Sequence, residues 1–327
     1  MRKSIESLLG ANHPYEILVI NDGSHDNTSA IAHEYAERYP QVIAVDQDNA
    51  NWGGVVNRSI ELARGTYFKV VDSDDYLDEL SLRRVLDTLA MLMEVDDEPD
   101  LLVTNYVYDH LRTESQRVMQ YRSFFPIGRT FGWDEVKLSR GGKVYQDKFI
   151  MIHAAWFKTS VMRESGVRLE EGVSYMDSML LLHPLPYVKK LYYLDVAPYH
   201  YIIGRDGQSV EIEVVKKHID EQILASQLAI DDFDYGKLYK ENPGCAMLMT
   251  GYVSCMMSVS TIHLFMIGTD EAIAKNRKLW SHLAAKNPEL YRNVRKSWAG
   301  RANRRTRAGR AAALLGYAFA QKVYKFA

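Results

Sequence analysis

The spacing of apolar positions changes repeatedly along the first hundred residues, and the changes predict strands alternating with helices. Glu16-Ile17-Leu18-Val19-Ile20 is a short apolar run closed by the turn signal Asn21-Asp22-Gly23-Ser24. Residues 24–39 then place Ile31, Ala32, Tyr35 and Ala36 on one helical face. Val42-Ile43-Ala44-Val45 predicts a second strand. Residues 51–64 predict a second helix, opened by Gly53-Gly54, with Val56, Ile60 and Ala63 on one face. A strand over 67–71, a helix over about 77–93 and a strand over 101–108 follow. Strands separated by helices of this length predict an α/β fold, a mostly parallel sheet flanked by helices.

The pattern loosens in the middle third. A short helix is expected over 154–165, a loop over 166–175, a helix over 177–182 and two strand-like runs over 188–194 and 198–203. From Gln208 onward the pattern is mainly helical. The expected domains are therefore residues 1–210, carrying the sheet, and a helical region over 211–327. Between Glu241 and Asp270 there is no Asp, Glu, Lys or Arg. Within it Cys245–Ile267 is long enough to span a bilayer, but seven Ser, Thr, Gly and His residues dilute it, which favours a buried bundle helix.

Charge adds an asymmetry that the pattern hides. The 327 residues carry a formal net charge of −2, yet Lys275–Ala327 holds fourteen Lys and Arg against one acid, Glu289. An acidic body thus ends in a basic tail. Arg301, Arg304, Arg305, Arg307 and Arg310 precede a stripe of Leu315, Phe319, Val323 and Phe326. The combination fits an interfacial helix on an anionic membrane surface, or a bundle helix with a solvated basic face. No nucleic-acid motif accompanies the charge, so nucleic acid is not an expected partner. The two cysteines, Cys245 and Cys255, have no metal-ligand spacing and read as reduced thiols. With no leader-like opening, the expectation is a cytoplasmic protein, peripheral at the inner membrane face.

The chemistry concentrates at strand ends. Asp72-Ser73-Asp74-Asp75 follows directly on the strand 67–71. Three carboxylates in four residues repel one another unless something positive sits among them. Hard oxygen ligands suit Mg²⁺ or Mn²⁺, whereas Asp is also a good helix cap. Asp22 ends an earlier strand, and parallel strands would bring both acidic turns to one edge, where such sheets bind ligands.

Taken in order, Asn21-Asp22-Gly23-Ser24, Asn51-Trp52-Gly53-Gly54 and Asp72-Ser73-Asp74-Asp75 resemble the nucleotide-binding and DxD elements of family 2 glycosyltransferases with the GT-A fold. The resemblance is firm over residues 15–80 and looser over about 150–210. It implies an inverting, metal-dependent transfer of a sugar from a nucleotide-sugar, most often a UDP-sugar, to a glycan or lipid-linked acceptor hydroxyl. In that reading Asp22, Ser24, Asn51, Gly53, Asp72 and Ser73 bind the donor. Asp74 holds Mn²⁺ or Mg²⁺ against the diphosphate. For Asp75 a cap on the next helix is favoured over direct ligation. Asp177, in Tyr175-Met176-Asp177, matches the family's base, with Met176 where the family often has Glu. His153 falls on the acceptor side. Arg205 would meet the diphosphate from a closing stretch.

The resemblance also implies a first strand that this sequence does not show, since Met1–Leu9 looks like the helix that follows it. Low stability or weak donor binding is the corresponding expectation. The rival is a nucleotide-sugar-binding relative without catalysis. A nucleotidyltransferase would need a Gly-rich, basic N-terminal loop, and none is present.

Overall fold

The computed structural model describes residues 1–111, 113–136, 139–140, 143–144, 149–204 and 211–324. The chain divides into two compact units. One comprises Met1–Lys137 with Ile150–Gly204, and the other Leu138–Phe149 with Arg205–Ala327.

In the first unit α1 (Arg2–Leu8) precedes β1 (Ile17–Asp22), α2 (Thr28–Arg38), β2 (Val42–Gln47) and α3 (Asn51–Leu62). β1 and β2 pair in parallel from Ile17 opposite Val42 to Asp22 opposite Gln47. Ile5, Ile17, Tyr35 and Val42 are the buried residues of a core between this ladder and the helices α1 and α2. β3 (Tyr67–Phe68) and β4 (Tyr76–Leu77) flank the acidic turn, and α4 (Glu79–Glu94) leads to β5 (Leu101–His110) and β6 (Ser115–Met119). β7 (Thr130–Phe131) is followed, in the second unit, by β8 (Ser139–Arg140) and β9 (Lys143–Val144). The first unit resumes with β10 (Ala155–Lys158), α5 (Thr159–Ser165), α6 (Asp177–Leu182) and β11 (Leu191–Ile203).

These strands build a second sheet in the order β3-β10-β5-β11-β4, with β6 on β5 and β7 on β11. β5 is its axis, with its first seven residues buried. It runs parallel to β11 and antiparallel to β10. The α/β expectation holds, but the sheet is mixed rather than mostly parallel, because the loose middle third contributes antiparallel strands. Of residues 154–165, expected as a helix, Ala155–Phe157 are drawn into the ladder beside Leu101–Val103, and only Thr159–Ser165 is α-helical. The two runs at 188–194 and 198–203 are one strand whose register shifts between Leu194 and Tyr199.

The second unit is helical, from α7 (Ile212–Lys217), α8 (Ile219–Asp231) and α9 (Tyr235–Glu241) through α10 (Pro243–Ile267) to α11 (Asp270–Lys286), α12 (Pro288–Val294), α13 (Trp298–Ala302) and α14 (Arg307–Tyr324). α10 is the uncharged stretch. It is the one described helix long and apolar enough to cross a membrane, but 78% of its most apolar window is buried. Two of its polar groups bond inside the bundle: Ser260 bonds Ser226 at 3.0 Å, and Thr261 accepts from the Trp280 indole at 3.0 Å. That is the chemistry of a core helix. Arg301, Arg304, Arg305 and Arg307 are exposed, as are Trp298, Leu315 and Phe319.

Candidate active site

Three acid-bearing segments of the first unit meet at the start of α3. Asp22, at the end of β1, accepts from the Ala50 N–H at 3.0 Å and from the Gln47 amide at 2.7 Å. Gly23, at φ +69°, makes the turn that follows, and Asn51 opens α3 at φ +58°, a left-handed conformation Asn tolerates. Trp52, in the first turn of α3, donates its indole N–H to Asp72 Oδ1 at 3.3 Å. The Ala50 carbonyl accepts from the Gly172 N–H at 3.0 Å, in the loop that leads to Asp177.

That loop is clamped from below. Asn57 both donates to the Leu169 carbonyl and accepts from the Leu169 N–H, each at 2.9 Å. A Cβ on Gly53 would run into the Glu170 carbonyl, so glycine is needed there for close approach of the loop. Gly53 is buried beneath this backbone. The expected donor-binding glycine therefore has a packing role. Ser24, Asn51 and Ser73 are exposed. Arg205 lies outside the described residues.

The acidic turn is organised around Tyr199. Its hydroxyl donates to Asp75 Oδ2 at 2.7 Å, while the Ile202 N–H donates to Asp75 Oδ1 at 2.8 Å. The same hydroxyl accepts from the Asp72 N–H at 3.2 Å. Asp75 is 1% exposed and is not the helix cap expected from the sequence. Asp78 caps α4 instead, accepting from the Ser81 N–H at 2.9 Å, because the helix starts at Glu79. Asp74 is exposed.

Lys69, just after β3, donates to the carbonyls of Ile152 and His153, both at 2.7 Å. Its ammonium sits 4.8 Å from the centre of the Tyr199 ring. His153 is buried, with its ring 4.6 Å from Tyr199 and 4.3 Å from Tyr201. Its Nδ1 has no hydrogen-bond partner. One ligand atom from each of Asp72, Asp75 and His153 lies within 4.8 Å of the other two.

Burial sets the protonation of this group. It pushes Asp75 up to about 7, against the Ile202 and Tyr199 hydrogen bonds, and it raises Asp72, aided by the charge of Asp177. Burial also raises Asp177, while the N–H groups of Ser178 and Asp177 itself pull the other way. His153 is driven down to about 3 by burial and by Lys69, so its imidazole is neutral. Burial lowers Lys69 to about 7, opposed by Asp72 and Asp75.

Asp177 is the first residue of α6, as expected, and Met176 before it is a core side chain at 1% exposure. Tyr175 holds φ +64°, a strained conformation for an aromatic residue that turns the chain into the helix. A half-buried carboxyl with a raised pKa beside a second acid is suited to proton transfer near neutral pH.

The description "Glycosyl transferase family 2" belongs to a family model that matches residues 1–151. Residues 1–151 are thus similar to glycosyl transferase family 2. The uncharacterized glycosyltransferase MG025 homolog of Mycoplasma pneumoniae is 39% identical over 88 residues, covering 25% of this chain and 29% of that protein. The uncharacterized glycosyltransferase MG060 of Mycoplasma genitalium is 24% identical over 231 residues, covering 68% of this chain and 71% of that protein. The alignments with the two MG025 proteins span only 29% and 30% of their lengths. Among solved structures, Staphylococcus aureus TarS 1–349 in complex with UDP-GlcNAc superposes with a TM-score of 0.52 at 15% identity, over 91% of this chain and 87% of that one. A second TarS structure gives 0.54 at 13% identity, over 91% and 52%. These likenesses establish a glycosyltransferase-like fold for the chain.

Sequence reasoning named Asp22, Asp72, Asp177 and His153. It gave no role of their own to Lys69, Asn57 and Tyr199. Lys69 looked like one polar position in an apolar strand, and Asn57 like one more residue of a helix.

Proposed function

We propose that this chain is an inverting, metal-dependent glycosyltransferase that moves a sugar from a nucleotide-sugar, a UDP-sugar in our reading, to a hydroxyl of a glycan or lipid-linked acceptor. The observation that carries the reading is the meeting, at the start of α3, of Asp22 and Asp72, both within the residues that the family model matches, with the loop that leads to Asp177. Asp22 and Asn51 would receive the nucleoside, and Asp72 the ribose. Mn²⁺ or Mg²⁺ in the acidic turn, with Asp74 on its exposed side, would neutralise charge developing on the leaving diphosphate. Asp177 would take the proton of the acceptor hydroxyl as it attacks the anomeric carbon. Arg205 remains a proposed contact to the diphosphate.

The acceptor reading rests on the second unit. Exposed Trp298, Leu315 and Phe319 accompany exposed Arg301, Arg304, Arg305 and Arg307. Apolar side chains that enter the interface beside cations that meet anionic headgroups would hold the enzyme at the cytoplasmic membrane face. Flotation with phosphatidylglycerol vesicles tests this. The wild type should float, and Leu315→Ser/Phe319→Ser should not. Equal behaviour of the two would remove the membrane from the account.

Transfer and donor hydrolysis measured with a panel of UDP-sugars and Mn²⁺ test the central reading. Turnover lost in Asp177→Asn supports it. Donor binding without turnover in the wild type would favour the non-catalytic relative, a reading that Met176 at the family's Glu position keeps in view.

A further inference from the structure

We propose that His153 is a metal ligand and that Asp72, Asp75 and His153 form a mixed nitrogen and oxygen site that prefers Mn²⁺ to Mg²⁺. The inference deepens the reading above, on which it rests for the presence of a cation; it moves Asp72 from the ribose to the cation and adds Asp75 and His153 as ligands beyond Asp74.

The geometry supplies two independent observations. The first is the cluster itself, one carboxylate oxygen from each acid and one ring nitrogen within 4.8 Å of one another. The second is the state of His153. The residue is 95% buried by its 5% exposure, and its Nδ1 finds no partner. A buried polar nitrogen without a hydrogen bond is costly, and a native fold retains one where something outside the protein completes it. The ring cannot swing away to find another partner, because Tyr199 and Tyr201 lie against it and Tyr106 meets it edge-on at 5.5 Å.

The surroundings are those of a supported site. Tyr199 and the Ile202 N–H each bond one oxygen of Asp75, and Trp52 bonds Asp72. These contacts orient both carboxylates, as outer-shell partners of metal ligands do. Lys69 is the rival counter-charge. Its ammonium, however, is committed to the Ile152 and His153 carbonyls, where it fixes the turn that presents His153. Imidazole is a poor ligand for Mg²⁺, which keeps to oxygen, whereas later first-row divalent ions accept nitrogen more readily. A site with one imidazole and two carboxylates thus discriminates among the ions that an all-carboxylate turn would treat more alike.

Mn²⁺ alone, added to the full chain, is the probe. Pulsed electron paramagnetic resonance should show ¹⁴N coupling to bound Mn²⁺ in the wild type. In His153→Gln the coupling should vanish, and Mn²⁺ affinity should fall by about tenfold or more while Mg²⁺ affinity falls less. Bound Mn²⁺ without ¹⁴N coupling in the wild type would overturn the proposal, and this arm requires no variant to fold. So would absence of Mn²⁺ binding, or a folded His153→Gln with unchanged Mn²⁺ affinity. Donor turnover is read separately. Turnover with bound Mn²⁺ but no ¹⁴N coupling removes His153 and leaves the transferase. Coupling without donor binding or turnover does the reverse.

Discussion

Two strand ends carry acids in this protein, and they handle the charge differently. Asp22, after β1, is half-buried and spends one oxygen on the Ala50 N–H and the Gln47 amide. It is held by neutral donors and ties β1 to the start of α3. The turn after β3 instead buries Asp75, brings Asp72 and His153 beside it and leaves the His153 Nδ1 without a partner. Its acids are pushed up by burial rather than settled by their hydrogen bonds. One end is tied by neutral donors of the fold and keeps the donor-binding role proposed for Asp22. The other is incomplete in our proposal, which adds a cation to it.

The comparison breaks first at Asp177, the acid that the loop from Gly172 delivers to the incomplete end. Asp177→Asn should lower transfer by roughly 10²–10⁴-fold, the range expected for loss of a general base. Wild-type rates should rise with pH along a limb above the ordinary carboxylate range, because burial raises the Asp177 pKa. A rate independent of Asp177, or a limb near pH 4, would remove it from the chemistry.

Gly53→Ala should separate positioning from binding. The added methyl meets the Glu170 carbonyl, so the loop must shift. The cost in stability should be about 1–3 kcal/mol by denaturant unfolding, with a larger loss in turnover than in donor affinity. An unchanged turnover number would mean that the loop does not place Asp177.

The smallest effect is the most specific to the contrast. The folded Asp75 carboxyl titrates near 7, above its ordinary value, so the native state binds the extra proton between about pH 4 and 7. In metal-free protein this acid therefore removes stability as pH rises through that window. His153 works in the opposite sense, since its lowered pKa adds stability as pH rises from about 3 to 6.5. The difference between Asp75→Asn and wild type isolates the acid. The variant's advantage in Tm should be near zero at pH 4 and reach a few degrees at pH 8, and Mn²⁺ should erase it by stabilising only the wild type. An advantage that does not grow with pH would mean that the Tyr199 and Ile202 hydrogen bonds settle the Asp75 carboxylate within the fold.

Much of this was legible along the chain because it is local. The turns at Asp22 and Asp72, the helix starting at Asp177 and the uncharged helix α10 each announce themselves within a short window. What was not legible depends on distant partners. Asp75 looked like a cap because the residues that bond it, Tyr199 and Ile202, are more than 120 positions away. The cap fell to Asp78, three residues on, since hydrogen bonding rather than acid density fixes where α4 begins. Ala155–Lys158 had a helical spacing but was claimed by the edge of β5, a tertiary demand no local propensity records. His153 was visible as a lone histidine among aromatics, while its missing hydrogen bond belongs to the folded state alone.

The most direct test of the account is a calorimetric titration of a UDP-sugar into the full chain, with Mn²⁺ and again with chelator, for wild type and for Asp72→Asn/Asp75→Asn. The account predicts binding that requires Mn²⁺ in the wild type and is lost in the double variant even when Mn²⁺ is present. Equal binding with and without Mn²⁺, or no binding by the wild type in either condition, would contradict it.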